Sequence, residues 1–395
     1  MKNIVEYLRQ TALACPQKTA LEDNRHQLSY QQLLQRVDAL SHWLQQQQTT
    51  CVALHGANSI DWVIVDLACH ATNITCLSLP LSLSAQQIHH CVAEAGAELL
   101  LSEQILLPGQ CRLDDNEALP GIAAWALPER YHCWELPYAH SGHLPEATQK
   151  IAFTAGITGM PKGVCLSREH QCRVARALAA TTPISNPRHV CLLPLSTQLE
   201  NVVGVYATLL NGGTVVMPAD GGNMHQPAMA PTLLEQLHQI QPQSMILTPT
   251  RLQSLLDSTQ QQQWQMPDSL EFVVVGGAPV TPQLLSRAHQ QGIPVYEGYV
   301  LSECGSIVSI NTPQHVRNGT AGKILPHCQV RIDKQEVIIS GSCHLGYLGI
   351  SDSWYPNEIH TGDLGYCDDG WLSINGRRNA LYHDALTHLS GHKPG

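Results

Sequence analysis

The sequence predicts an α/β fold: two α/β subdomains with mainly parallel sheets, followed by a small β-barrel-like subdomain. Three observations carry that expectation. Short apolar runs alternate with 3.6-period amphipathic stretches from the start of the chain to about residue 305. Strands separated by helices pair in parallel, since the crossover returns the chain to the same end of the sheet. From Ser306 onward short strands with Gly and Pro turns replace the helical pattern.

"KTALED" reads as the opening strand and "LSYQQLLQRVDALSHWL" as a helix. Ser29 and Gln32 are spaced as a capping box, and Leu33, Leu34, Val37, Leu40 and Leu44 share one face. "CVALHG", "SIDWVIVDLACHA" and "ITCLSLPL" continue as strand, helix and strand. In "SAQQIHHCVAEAG" Ser84 caps with Gln87 and Gly96 closes the helix, before the strand "AELLLS". Pro108, Pro120, Pro128, Pro137 and Pro145 then mark an aperiodic surface connection from Glu103 to Lys150.

Alternation resumes with "KIAFTAG" and "HVCLLPL", a helix through "NVVGVYATLLNGG", the strand "TVVMP", a helix from Pro231 to Ile240, and "SMILTP". "EFVVVGGAPVTPQLLSRAHQQGIPVYEGY" reads as a strand, a glycine loop, a helix capped by Thr281 with Pro282 in its first turn, and another strand. "QVRIDKQEVIISGS" reads as a hairpin. The expected organisation is two lobes at about 1–150 and 151–305, a small β lobe at about 306–375, and a hinge with a stub over 376–395.

Composition narrows the function classes. With 395 residues, 43% of them hydrophobic, the chain can bury a large core, as a compact enzyme does. A net charge of −10, without a basic block, argues against nucleic acid as a partner. No run reaches the length of a membrane span. The 14 cysteines are scattered and follow no apolar leader, which points to reduced thiols in a cytoplasmic protein. The 21 histidines include "IHHC" and "CLSREHQC", neither of which has closed zinc spacing.

"TAGITGMPKG" offers glycines after a strand, where backbone N–H groups can turn toward an anion. It is no Walker loop, because Pro161 precedes Lys162 and Gly163 follows it. The stretch resembles the phosphate-binding signature of the adenylate-forming superfamily, which contains acyl-CoA synthetases, luciferases and nonribosomal adenylation domains. Thr154, Gly156, Thr158, Gly159, Pro161, Lys162 and Gly163 match that signature, while Ala155 and Ile157 stand where it has hydroxyls.

Three further motifs stand in family order. "VVVGGAPV" resembles the adenine-side loop, with Gly276, Gly277, Ala278 and Pro279 in matching places. "YEGYVLSE" resembles the aromatic-Gly-x-Thr-Glu motif, and implies a nucleotide site with Glu297, Gly298 and Tyr299 on the adenine side. By the same resemblance Ser302 contacts the α-phosphate and Glu303 holds Mg2+, with Lys162, Ser302 and Glu303 as the catalytic set. Val300 replaces the usual glycine, which crowds the nucleotide or narrows the acyl tunnel. In "HTGDLGYCDDGWLSINGRR" the resemblance gives Asp363 the ribose hydroxyls and Arg377 a second ribose contact at the hinge. "LSYQQLLQRV" and "HLGYLG" resemble weaker landmarks. Ser196, Thr197, Glu200 and Asn201 occupy the segment that many relatives place beside the acid, and Val202, Val203, Gly204 and Val205 suit either an apolar acyl pocket or helix packing.

The resemblance implies that residues 1–375 are an AMP-binding N-terminal domain that uses ATP and Mg2+ to convert a carboxylic acid, fatty or otherwise hydrophobic, into an acyl-adenylate. The acceptor would be the thiol of CoA or of a carrier protein's phosphopantetheine. The family's C-terminal domain, which carries a catalytic lysine, is expected to be absent: the chain stops at Gly395, Asn379 departs from the hinge pattern, and Lys393 lies too early. Three readings follow: a ligase whose lysine domain is missing or supplied by a separate partner, a binding protein for AMP or an acyl-adenylate, or a structural subunit. Retention of Lys162, Glu303, Asp363 and Arg377 argues against the last.

Overall fold

The computed structural model describes residues 3–104, 111–112, 131–138, 142–154, 161–218 and 231–378. The first half runs α1 (Ile4–Ala14), β1 (Thr19–Glu22), β2 (Gln27–Ser29), α2 (Tyr30–Gln46), β3 (Cys51–His55), α3 (Ile60–Thr72), β4 (Thr75–Leu79), α4 (Ala85–Ala95) and β5 (Leu99–Ser102). Next come β6 (Cys111–Arg112), β7 (His132–Glu135), β8 (Thr148–Thr154), β9 (Lys162–Ser167), α5 (Arg168–Thr181) and β10 (Arg188–Val190). A π-helical segment, Leu199–Tyr206, leads into α6 (Ala207–Leu210) and β11 (Thr214–Val216). Then follow α7 (Pro231–Ile240), β12 (Ser244–Leu247), α8 (Pro249–Gln262), β13 (Phe272–Val275), α9 (Pro282–Gln290) and β14 (Val295–Leu301). The chain ends in β15 (Ser306–Ile310), β16 (Lys323–Ile324), β17 (Gln329–Asp333), β18 (Glu336–Ser340), β19 (Gly346–Tyr347), β20 (Glu358–Asp368) and β21 (Trp371–Arg377).

The local signals act as their chemistry requires. Ser29 and Gln32 close their capping box, the Gln32 N–H donating to Ser29 Oγ at 3.2 Å and the Ser29 N–H to Gln32 Oε1 at 2.9 Å. Gly96 ends α4 at φ +64°, where a Cβ would be strained. The β17–β18 hairpin turns through Lys334 and Gln335, both at positive φ, without any glycine.

Among the described residues one sheet has the order β19-β9-β8-β4-β3-β5-β7-β6, and the other β17-β18-β20-β21-β16-β15-β14-β13-β12-β10-β11-β1-β2. The centre of each is parallel: β5-β3-β4-β8 in the first, and β1-β11-β10-β12-β13-β14 in the second. Strands do not divide between the sheets at residue 150. β1 and β2 sit at the edge of the second sheet, while β8 and β9 complete the first. The antiparallel strands after residue 305, except β19, which joins β9 in the first sheet, also continue the second sheet, because β14 pairs in parallel with β13 and antiparallel with β15.

The strand period of two separates the cores. In β3, Val52 and Leu54 face a core shared with α1, α2, α3, α5 and the π-helical segment, whereas Cys51 and Ala53 face α4. In β13, Phe272 and Val274 face the shared core, and Val273 and Val275 pack under α7, α8 and α9. A helical layer therefore lies between the two sheets, with helices outside each. That layer carries a buried polar knot: Asp66 from α3 pairs with Lys150 from β8 and accepts from Asn201 at 2.9 Å and from the Tyr206 hydroxyl at 2.6 Å. Lys150 is 1% and Asp66 0% exposed, so each charge depends on the other.

Candidate active site

The residues expected to act together come from both sheets. Thr154 ends β8 and Lys162 begins β9, and the two are cross-strand partners, so the strands fix the ends of the loop between them. Gly156, Thr158 and Gly159 lie outside the described residues. Lys162 is exposed, its ammonium 5.4 Å from the ring centroid of Tyr347 on β19. Tyr347 is held beside β9 by its pairing with Val164. Its hydroxyl donates to Glu303 Oε1 at 2.7 Å. One aromatic side chain thus contacts both a cation and a carboxylate.

Ser302 and Glu303 occupy a 3₁₀ turn directly after β14. The turn is closed by Gly305 at φ +74°, where a Cβ would come within 2.9 Å of the buried His170 ring. The His344 N–H donates to the Glu303 carbonyl at 2.7 Å, tying this turn to the segment that leads into β19. Glycine at 305 therefore serves both the backbone and the packing behind the carboxylate.

On β14 the alternation sorts the remaining candidates. Tyr296 and Val300 pack against the shared core, with Tyr296 stacked near Phe272 at 5.3 Å, whereas Tyr299 packs with the small β core. The Tyr299 hydroxyl donates to Asp363 Oδ2 at 2.6 Å, and burial together with that carboxylate raises its pKa above the ordinary tyrosine value. Asp363 and Arg377 are cross-strand partners on β20 and β21, with Arg377 Nε 3.4 Å from Asp363 Oδ1. Gly277, Ala278 and Pro279 form an exposed loop after β13, with Gly277 at φ +83°. A Cβ on the preceding Gly276 would meet the Gly298 carbonyl at 2.8 Å and Val300 at 3.1 Å, so these strand ends are in backbone contact. Glu297, paired in register with Val275, has its carboxyl pushed up to about 7 by burial.

The donor set suits a magnesium nucleotide. Asp363 offers a carboxylate whose partner Tyr299 is a hydroxyl that ribose hydroxyls can replace, and Glu303 offers hard oxygens beside the tyrosine that Lys162 also contacts. The segment expected beside the acid is different. Glu200 and Asn201 are at most 1% exposed and are committed to buried partners, Glu200 to His189 and the Leu193 N–H, Asn201 to Lys150 and Asp66. Val202, Val203 and Val205 are likewise buried in the shared core. The residue that motif reading left out is Tyr347, inside "HLGYLG", which joins Lys162 to Glu303. Its signal in the sequence was that weaker landmark, an aromatic set between two glycines.

Fold and site together define an acyl-CoA-synthetase-like adenylating enzyme. Residues 8–345 match the AMP-binding enzyme family, and the chain belongs to it. It is 27% identical to the 2-succinylbenzoate–CoA ligase of Bacillus velezensis over 95% of this chain and 78% of that one. The indoleacetate–CoA ligase of Aromatoleum aromaticum is 24% identical over 93% and 76%. Among solved structures, an anthranilate CoA ligase in complex with anthranoyl-AMP superposes with a TM-score of 0.79 at 17% identity, covering 96% of this chain and 77% of that one. The O-succinylbenzoate coenzyme A synthetase of Bacillus subtilis, in complex with ATP and magnesium, gives 0.73 at 22%, covering 94% and 79%. Among the described residues no helix is long and apolar enough to cross a membrane.

Proposed function

We propose that this protein activates a carboxylic acid with ATP and transfers the acyl group to a thiol, that of coenzyme A. A carboxylate oxygen attacks the α-phosphorus and the bond to pyrophosphate breaks; the thiolate then attacks the acyl carbon of the acyl-adenylate and AMP leaves. The observation that carries this reading is that Tyr347 contacts both Lys162 and Glu303, while Asp363 is joined to both Tyr299 and Arg377.

Both reactants are anionic, so charge must be neutralised where they meet. Lys162 brings a cation to the phosphates, and Ser302 a hydroxyl donor. Glu303 would hold Mg2+, which supplies a Lewis acid to the phosphate oxygens. Tyr299 offers a ring to adenine, the loop of Gly277, Ala278 and Pro279 borders it, and Glu297 and Gly298 form the adjoining strand. Asp363 accepts the ribose hydroxyls, supported by Arg377. Thr154, Gly156, Thr158 and Gly159 frame the β and γ phosphates.

The acid we propose is hydrophobic, fatty or aryl; Val300, apolar and only partly buried on the strand that carries Tyr299, is compatible with that class. The named relatives, whose acids are aryl, favour the aryl class. The body over residues 1–375 serves as the nucleotide-binding domain, and a lysine from a further domain or partner would complete the neutralisation. Pyrophosphate exchange across a panel of aryl and fatty acids, alongside calorimetric titration of AMP, tests the reading. Acid-dependent exchange is expected. AMP binding without exchange for any acid would make this a nucleotide-binding protein, and no AMP binding at millimolar concentration would overturn both.

A further inference from the structure

We propose that His189, Cys191 and Glu200 form a binding site for a thiophilic divalent transition-metal ion of the Zn2+ type, separate from the magnesium–nucleotide site. His189 on β10 and Cys191 just after it are two residues apart in extended chain, so both side chains project to the same side of the sheet. There they meet Glu200 of the π-helical segment. One nitrogen, one sulfur and one carboxylate oxygen lie within 4.8 Å of one another, and all three residues are buried. Tetrahedral coordination at Zn–N and Zn–S bond lengths separates ligand atoms by about 3.3–3.6 Å. The observed spread brackets that value: His189 Nε2 is 2.8 Å from Glu200 Oε1, and the widest separation is under 4.8 Å. Small side-chain rotations suffice to seat an ion.

The surroundings are those of a metal site. His189 Nδ1 faces Ser244 Oγ at 3.0 Å, an outer partner that can accept from Nδ1 when a metal takes Nε2, the nitrogen that here faces Glu200 Oε1. The Leu193 N–H holds Glu200 Oε2 at 2.8 Å, so the carboxylate is oriented before any ion arrives. Gly204 faces the pair without a side chain, and a Cβ there would collide with both Glu200 and His189. A pocket beside the cluster is lined by His189 and its partner Ser244, together with Val203 and Thr208 among others. A π-helical turn places Glu200 here, and such turns recur at functional sites. The donor set of nitrogen, thiolate and carboxylate suits Zn2+ and not Mg2+, which demands oxygen.

Loading balances as follows. The metal displaces the Cys191 thiol proton to solvent and takes the place of the proton on His189 Nε2, so the neutral imidazole carries its one proton on Nδ1 and donates it in a hydrogen bond to Ser244 Oγ. The ion, a thiolate and a carboxylate are then neutral together.

Titrating the metal-stripped full chain with Co2+ tests this without any nucleotide. The expected result is one equivalent bound, with a thiolate-to-cobalt charge-transfer band that Zn2+ abolishes by competition. Cys191→Ala should lose the band and Glu200→Gln should weaken binding at least tenfold, while Cys328→Ala, in the separate β core, keeps both. Cys191→Ser, close in size, should fold with the same melting temperature as the stripped parent but gain no stability from Zn2+. A band that survives Cys191→Ala, or no thiolate band at all, overturns the proposal whatever the outcome of the exchange assay.

Discussion

The Tyr299 hydroxyl donates to the Asp363 carboxylate at 2.6 Å, across 64 residues of sequence, and so occupies the oxygen assigned to a ribose hydroxyl. Nucleotide binding on this reading is an exchange of one hydrogen bond for another. Asp363→Ala should weaken AMP by about 1.5–3 kcal/mol, the scale for hydrogen bonds to a charged group, or roughly 10–150-fold in Kd. Tyr299→Phe keeps the ring and removes the internal competitor, so AMP affinity should hold or rise. Calorimetry on both variants checks this, and an unchanged Kd for Asp363→Ala would sink the ribose assignment.

Lys162 and Glu303 share Tyr347 as neighbour. Lys162→Ala should lower adenylation by roughly 10–150-fold, from loss of a charged partner for phosphate. Tyr347→Phe retains the ring beneath the ammonium and frees the carboxylate, so its effect should be smaller than that of Tyr347→Ala, which also loses a cation–π contact worth about 0.5–1 kcal/mol. Single-turnover formation of the acyl-adenylate separates the three variants. Equal rates for the phenylalanine and alanine substitutions would show that the ring has no part.

The Asp66–Lys150 pair ties the first sheet to the helical layer, with both charges out of water. Removing one partner strands the other. Lys150→Met alone should cost about 3–5 kcal/mol of stability, and the double substitution Asp66→Leu with Lys150→Met should recover part of it. Urea denaturation of the single and double variants reads the difference, and a double variant less stable than Lys150→Met would contradict it.

Buried titrating groups set two pH windows. Burial lowers His70 and His170 to about 3 and His327 to about 4, so the folded state prefers them neutral. Their contribution is present above the ordinary value of 6.5 and is lost as pH falls from there toward 3. Glu297 works the other way. Its folded value of about 7 lies above the ordinary 4.5, so the folded state holds a proton that the unfolded chain has lost, and stability falls as pH rises through that window. Glu297→Gln should gain stability relative to the parent between pH 5 and 8. Thermal melts across that range provide the check, with a constant difference as the contrary result.

Much of the architecture was legible in the chain because its signals are local. The capping box of Ser29 and Gln32, the closing Gly96, and the periodicities of two and 3.6 depend on neighbours within one turn or strand, and each formed as its spacing demanded. Motif order likewise singled out Lys162, Tyr299, Glu303, Asp363 and Arg377 as candidates, and strand register brought Asp363 against Arg377. Which sheet each strand joins was not legible. β1, β2, β8 and β9 cross the expected lobe boundary, since pairing is decided by core packing far away in sequence.

The sequence by itself determined the class of protein and the chemical types at the site, because those reside in residue identity and short spacing. Only the tertiary structure decided how these side chains are partnered. It set Val300 on the core side of β14 and Tyr299 on the other, since alternation fixes opposite faces but not which face is the core. It also turned Glu200 and Asn201 inward and brought Tyr347 between Lys162 and Glu303. Each of these depends on contacts between residues remote in the chain, where burial and hydrogen-bond satisfaction select one arrangement from many that local propensity allows.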